Sequence, residues 1–310
     1  MPYCLGLDTS NYTTSVAVFD GLDGKNFGKL LSVPEGNLGL RQSDALFQHI
    51  KRLPDMFAEL RKEGMLKHIS AVSASTQPRS VEGSYMPCFI PGETVGRCIA
   101  DILNVPFYTC AHQDGHIAAA AWSAGRLDLL DRPHLAWHLS GGTTELLYVE
   151  PNGCSVKAKC IGGTSDISAG QLIDRTGKLL GIQFPAGKAL DALTAEQEKK
   201  KYFSVKLNGC TFSLSGIENQ VKQMVQKGEQ KETVACFVLD TIANAVAAAT
   251  AAAHEMWPGL PVLLSGGVAS SIRLRSWLGD MVFAQPQYST DNAMGVAILA
   301  HRMLLKEKDQ

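Results

Sequence analysis

His112-Gln113-Asp114-Gly115-His116 holds the residue types best suited to chemistry in this 310-residue chain. It follows a strand-like run, Val105–Cys110, and opens an alanine-rich helical stretch. Histidines at i and i+4 share one helix face, and two imidazoles so placed can bind one metal ion. The residue after the first histidine is Gln113 rather than glutamate, so the general base of an HExxH zinc protease is missing. A metal needs a third ligand. Asp291, in Ser289-Thr290-Asp291-Asn292, and His138, at the end of a strand-like run, are the candidates. Without one, the two histidines read as ordinary hydrogen-bonding residues of a helix N-terminus.

Three glycine- or hydroxyl-rich turns add a second kind of chemistry: Ser10–Thr14, Ser140-Gly141-Gly142-Thr143-Thr144 and Ser265-Gly266-Gly267-Val268. Backbone N–H groups in such turns can face an anion. One alone reads more often as a plain tight turn; three in one chain are better evidence for phosphate. No GxxxxGK[ST] is present and no GxGxxG follows a strand, which disfavours a P-loop or a Rossmann site. The segment Gly162–Asp191 is dense in small and polar residues. Asp174, in a helical stretch near Phe184-Pro185-Ala186-Gly187-Lys188, is an acid placed to hold ribose hydroxyls; a solvated helix face is the competing reading.

The elements that must carry these turns repeat. Tyr3–Thr9 and Ser15–Phe19 are apolar, β-branched runs around the first turn, and read as a hairpin. Leu135–Leu139 and Leu146–Glu150 flank the second turn in the same way, and Pro261–Leu264 leads into the third. Gly39–Leu60 has helical spacing (Leu46, Ile50, Leu53, Phe57, Leu60), with Pro54 marking a break. Ile69–Ser75 reads as a strand, Gln77–Pro91 as a loop and Gly92–Leu103 as a helix. A hairpin-headed α/β unit that occurs twice implies two similar lobes with the turns lining a cleft between them. The expected boundaries are 1–130 for the first lobe and 131–291 for the second, with the last helix, 292–306, returning to the first.

Composition sets the frame. Hydrophobic residues are 45% and charged residues 19%, as in a soluble globular enzyme. Net charge is -1, which excludes a protein that coats nucleic acid non-specifically. The densest basic cluster is Lys199–Lys201 with Lys206. Eight scattered cysteines without a CxxC pair read as reduced thiols in a cytoplasmic protein. Met1–Pro2–Tyr3 runs into a strand and reads without a signal peptide. Cys236–Met256 is apolar but contains Asp240, Asn244, His254 and Glu255, and reads as a buried helix rather than a membrane span.

Several pieces then combine in order: Leu5–Val18, His112–His116, Ser140–Leu146, Ala169–Leu193 (AGQLIDRTGKLLGIQFPAGKALDAL), Phe212–Gly216, Ser265–Arg275 and Ser289–Ala293. Their joint order and spacing resemble the TsaD, or glycoprotease-like, family of the actin-like ATPase superfamily. The resemblance implies an α/β fold of two duplicated actin-like ATPase (RNase H-like) lobes with a nucleotide cleft between them. It implies an acyltransferase that moves threonylcarbamoyl from its adenylate to adenine in tRNA. It implies His112, His116 and Asp291 as ligands of one divalent metal, iron or zinc. It also implies His138, Leu139, Ser140, Gly141 and Gly142 as the loop at the phosphates of ATP or the carbamoyl-adenylate. Asp174, Gly187 and Asp191 match adenosine-binding positions, and Ser271 replaces the family's usual Asn. TsaB- or TsaE-like subunits, or a second copy of the chain, are the implied protein partners; no membrane is implied.

The departures lie in the first lobe. The family's ETSCDET segment reads Asp8-Thr9-Ser10-Asn11-Tyr12-Thr13-Thr14 here, so two acids become Tyr12 and Thr13. Its ASRxH motif reads Arg41-Gln42-Ser43-Asp44-Ala45-Leu46, and the Glu after its AAG motif is Gln171. These mark a divergent paralogue. Asp8 and Ser140 are the candidates left for catalytic roles. Three readings stay open: the tRNA threonylcarbamoyl transferase, a related carbamoyltransferase or nucleotide hydrolase with another acceptor, and a non-catalytic nucleotide-binding partner protein.

Overall fold

The computed structural model describes residues 2–10, 12–33, 40–197 and 201–308. Asn11 of the first turn, Gly39 at the start of the expected helix, and Lys199 and Lys200 of the basic cluster lie outside these. The chain divides into two compact units: Met1–Arg132 with Glu150–Ala158 and Asp291–Gln310, and Pro133–Val149 with Lys159–Thr290. Against the expected boundaries, 131–132, 150–158 and Asp291 group with the first unit.

The first unit opens with β1 (Tyr3–Asp8), β2 (Thr13–Phe19) and β3 (Gly24–Leu30). Next come α1 (Gln42–Lys62), β4 (Ile69–Gln77), α2 (Ile90–Leu103), β5 (Phe107–Ala111) and α3 (His112–Ser123). The sheet order is β3-β2-β1-β4-β5. β2 is antiparallel to β1 and β3, while β4 runs parallel to β1 and β5. Period-2 alternation sends Leu5, Leu7, Val16, Val18, Val72 and Ala74 to one face, where Leu53 and Leu60 of α1 cover them. α1 does not break at Pro54. The carbonyl that loses its donor belongs to Ile50, on the exposed face, where water can replace the bond. β3 escaped the sequence reading because its GKNFGKL lacks apolar alternation, as suits an edge strand.

The second unit begins with β6 (His134–Leu139), β7 (Thr144–Asn152) and β8 (Ser155–Thr164). It continues through α4 (Ala169–Leu179), α5 (Gly187–Ala192), β9 (Cys210–Phe212) and α6 (Ser215–Gln226). It ends with α7 (Lys231–Met256), β10 (Val262–Ser265), α8 (Ile272–Trp277) and β11 (Val282–Phe283). Its sheet order is β11-β10-β6-β7-β8-β9, with β7 antiparallel to β6 and β10 parallel to both β6 and β11. Read from the β8 side, this is the strand order of the first sheet with β9 added, and the β6–β7, β6–β10 and β10–β11 pairs repeat the sense of β1–β2, β1–β4 and β4–β5. α7 is long and apolar enough to cross a membrane by length and composition, yet 78% of its most apolar window is buried in the protein. Val238, Ile242, Val246 and Ala249 of α7 pack with Trp137 and Leu139 in one core.

The last helix, α9 (Met294–Lys308), belongs to the first unit and packs on β1, β4 and α3. The α3–α9 crossing is backbone on backbone. A Cβ on Gly295 would stand 1.7 Å from the Gly115 carbonyl oxygen. Only glycine permits that approach at position 295, while a Cβ on Gly115 of HQDGH would press on Val296 Cγ2 at 3.3 Å.

Candidate functional site

Residues from three elements meet in the first unit. His112 and His116 lie on α3, one turn apart. Asp291 precedes α9, whose start is capped by the Asn292 side chain accepting from Met294 N–H. Asp8 ends β1. His112 Nε2 lies 2.9 Å from His116 Nε2. Asp291 Oδ1 lies 3.7 Å from the first nitrogen and 3.3 Å from the second. A first-row divalent ion held at about 2.1 Å by three such ligands separates them by roughly 3–3.5 Å. The donor set of two imidazoles and a carboxylate suits iron or zinc. Among the described residues, His112, His116 and Asp291 form the one group with metal-ligand spacing.

Behind this group stands Asp8, 1% exposed. Its Oδ2 is 2.7 Å from His112 Nδ1, and its Oδ1 accepts from Ser10 N–H at 2.8 Å. Burial, the largest influence on both groups, opposes their charges. It is outweighed: the His112 charge and hydrogen bonds hold the Asp8 carboxyl below its ordinary value. Asp8 in turn raises the His112 imidazole to about 9. A carboxylate that fixes Nδ1 leaves Nε2 aimed at the ligand position, the usual outer support of a metal-binding histidine. The residues therefore fit a metal ion.

The second site lies wholly within the second unit. A pocket of about 550 Å³ is lined by Gly141, Asp174, Gly187, Asp191 and Ser271, all singled out from the sequence. The sequence reading missed its apolar wall, Ile173, Leu239 and Val268, and its cation, Lys188. Ser168 builds one edge. Its hydroxyl accepts from Gln171 N–H and donates to the Gly141 carbonyl, and the Gln171 side chain accepts in return from Ser168 N–H. This capping box fixes the α4 N-terminus against the turn. Gln171 thus has a structural role at the position where the family's Glu is replaced. Within the turn, Ser140 N–H donates to the Thr143 carbonyl and the Ser140 hydroxyl accepts from Thr143 N–H. The N–H groups of Gly141 and Gly142 have no partner among the described residues.

The two pocket acids differ. Asp174 Oδ1 accepts from Ala186 N–H, and its second oxygen has no partner among the described residues. Asp191 is fully engaged: Oδ1 accepts from the Ser271 hydroxyl at 2.5 Å and from Arg273 N–H, and Oδ2 from Ile272 N–H. It holds the start of α8, which Arg273 also ties to the buried Asp240 of α7. His138, Leu139, Ser140 and Gly142 stand outside the pocket lining, on β6 and the turn that presents Gly141. The Leu139 side chain is buried in the core, which leaves only its backbone for a ligand. His138 belongs to the second unit, with Nδ1 3.5 Å from the Ser265 hydroxyl.

A family model described as "TsaD: tRNA N6-adenosine threonylcarbamoyltransferase" matches residues 39–298. A relative named tRNA N6-adenosine threonylcarbamoyltransferase from Thermus thermophilus is 31% identical, over 97% of this chain and 92% of its own. One of the same name from Rhodospirillum rubrum is 30% identical, over 96% and 88%. Among solved structures, full-length HypF in a phosphate- and nucleotide-bound form superposes with a TM-score of 0.61 at 15% identity, over 98% of this chain and 46% of that one. The activator of 2-hydroxyisocaproyl-CoA dehydratase from Clostridium difficile, with bound ADPNP, superposes with a TM-score of 0.55 at 13% identity, over 99% and 97%. At such identities the structural likeness shows the fold alone: the actin-like ATPase fold.

Proposed function

The chain belongs to the tRNA N6-adenosine threonylcarbamoyltransferase family, and from that premise we propose how its residues carry the reaction. The reaction transfers a threonylcarbamoyl group from its adenylate to the N6 amine of an adenosine in tRNA. A C–N bond forms, the C–O bond to the AMP phosphate breaks, AMP leaves with the electron pair, and N6 loses one proton. The observation that carries the reading is the ligand group His112, His116 and Asp291 with Asp8 behind it.

A divalent iron or zinc ion bound there supplies Lewis acidity toward the donor's carbamoyl oxygen. Asp8 keeps the His112 proton on Nδ1 and the ring in place; we assign it orientation, since both of its oxygens are already engaged. In the second unit, the N–H groups of Gly141 and Gly142 donate to the phosphate, and Ser140 shapes the turn that aims them. Asp174 accepts a ribose hydroxyl on its second oxygen. Asp191 and Ser271 hold the α8 wall, and Ile173, Leu239 and Val268 give the base an apolar surface.

With a net charge of -1, the chain has no general attraction for tRNA. Of the basic cluster, Lys201 is already paired with Glu229 at 2.9 Å. We therefore place basic surface for the tRNA on a TsaB- or TsaE-like partner, in the cytoplasm. The test is complementation of a strain lacking the tRNA-modifying enzyme, read as threonylcarbamoyladenosine in digested tRNA. Wild type restores the nucleoside and His112→Ala/His116→Ala does not. Failure of soluble wild type with partners supplied, alongside bound nucleotide and metal, would instead assign the chain as a non-catalytic partner protein.

A further inference from the structure

Thr13 opens β2 and is 6% exposed. Its hydroxyl donates to Asp291 Oδ2 at 3.3 Å, while Asp291 Oδ1 faces the two imidazoles. Side-chain alternation places its neighbour Thr14 on the opposite face, where the Thr14 hydroxyl meets His49 Nδ1 of α1 at 2.8 Å. Two adjacent threonines are thus anchored on opposite faces of one strand. The register Asp8↔Ser15 sets β2 against the strand that ends in Asp8. One hairpin therefore reaches two of the three ligands from behind: Asp8 touches His112 and Thr13 touches Asp291.

We propose that Thr13 is a positioning residue for Asp291, fixing which carboxylate oxygen faces the metal. This rests on the reading of His112, His116 and Asp291 as a metal site. The residue type follows from the chemistry. A hydroxyl can donate to a carboxylate, whereas an ionised acid at the same place would repel it. A donor on Oδ2 leaves Oδ1 as the ligand and restricts rotation of the carboxylate. The substitution of Thr for an acid here thus has a function of its own: it converts the hairpin tip into an outer support for the ligand group.

The test is Zn2+ affinity of the full chain, stripped of metal and titrated in competition with a chromophoric chelator. Thr13→Val keeps shape and β propensity but removes the donor, and is expected to weaken Zn2+ about tenfold. Thr13→Ser restores affinity to within about twofold, and thermal unfolding of the metal-free variants stays close to wild type. Should Thr13→Val not purify, Thr13→Ala is read in the same titration. Equal Zn2+ affinity in wild type and the variant overturns the proposal. So does a loss in Thr13→Ser as large as in Thr13→Val. If wild type itself takes no Zn2+ that His112→Ala/His116→Ala abolishes, the metal reading falls and this inference with it.

Discussion

His49 shows how a single residue ties the hairpin to stability. It is fully buried on α1, with Nδ1 on the Thr14 hydroxyl and no hydrogen-bond partner for Nε2 among the described residues. Burial, despite the nearby Asp8 charge, pulls its pKa from 6.5 to about 4. The folded protein holds it neutral while the unfolded chain protonates it below 6.5. Stability is therefore lost as pH falls from about 6.5 through 4, by about 3 kcal/mol. Urea unfolding at pH 7 and pH 4.5 measures this, and His49→Gln removes most of the difference. In the pocket, Asp174→Asn keeps the acceptor for Ala186 N–H and replaces the second oxygen with a donor. It is expected to weaken ADP binding about tenfold by calorimetry, and 2′,3′-dideoxy-ADP much less. At this scale the residues of the proposed ligand group stood out in sequence because HQDGH and STDN carry their own chemistry. Their supports were not: Asp8 is 104 residues from His112, and Thr13 is 278 from Asp291. Only the sheet and the α3–α9 crossing bring such pairs together.

The elements that position the site depend on close backbone contacts and caps. Gly295→Ala would force α3 and α9 apart, since its Cβ meets the Gly115 carbonyl. It is expected to cost roughly 3 kcal/mol or more in chemical unfolding and to lower metal affinity with it. Ser168→Ala removes the α4 cap and the bond to the Gly141 carbonyl together, for about 1–2 kcal/mol. The same substitution should weaken nucleotide binding through the turn while leaving metal content unchanged. Elements with a continuous apolar run were readable: β1, β2 and β6 as short apolar stretches beside polar turns, and α7 by its long buried run. β3 and β8 were not, since lysines and glycines interrupt both, and their place in a sheet is set by neighbours rather than by their own pattern. Pro54 misled because an exposed helix face tolerates the carbonyl it leaves without a donor.

For the whole molecule, one strand order occurs in both units, and the sequence showed this only as a twice-used hairpin with a hydroxyl- and glycine-rich tip. Family membership rests on motifs spread over most of the chain, while the divergent residues concentrate near the first hairpin. Of those residues, Thr13 donates to Asp291 and Asp8 contacts His112, so the group His112, His116 and Asp291 keeps its ligand spacing without acids at 12 and 13. The activity proposed for the whole molecule is threonylcarbamoyl transfer. It is tested by incubating the metal-loaded protein and its partner subunits with tRNA and adenylate carrying labelled threonine, then measuring label in the tRNA nucleosides. Labelled threonylcarbamoyladenosine is expected with wild type and none with His112→Ala/His116→Ala. Release of AMP with no label in tRNA, from protein that binds both metal and nucleotide, would contradict it.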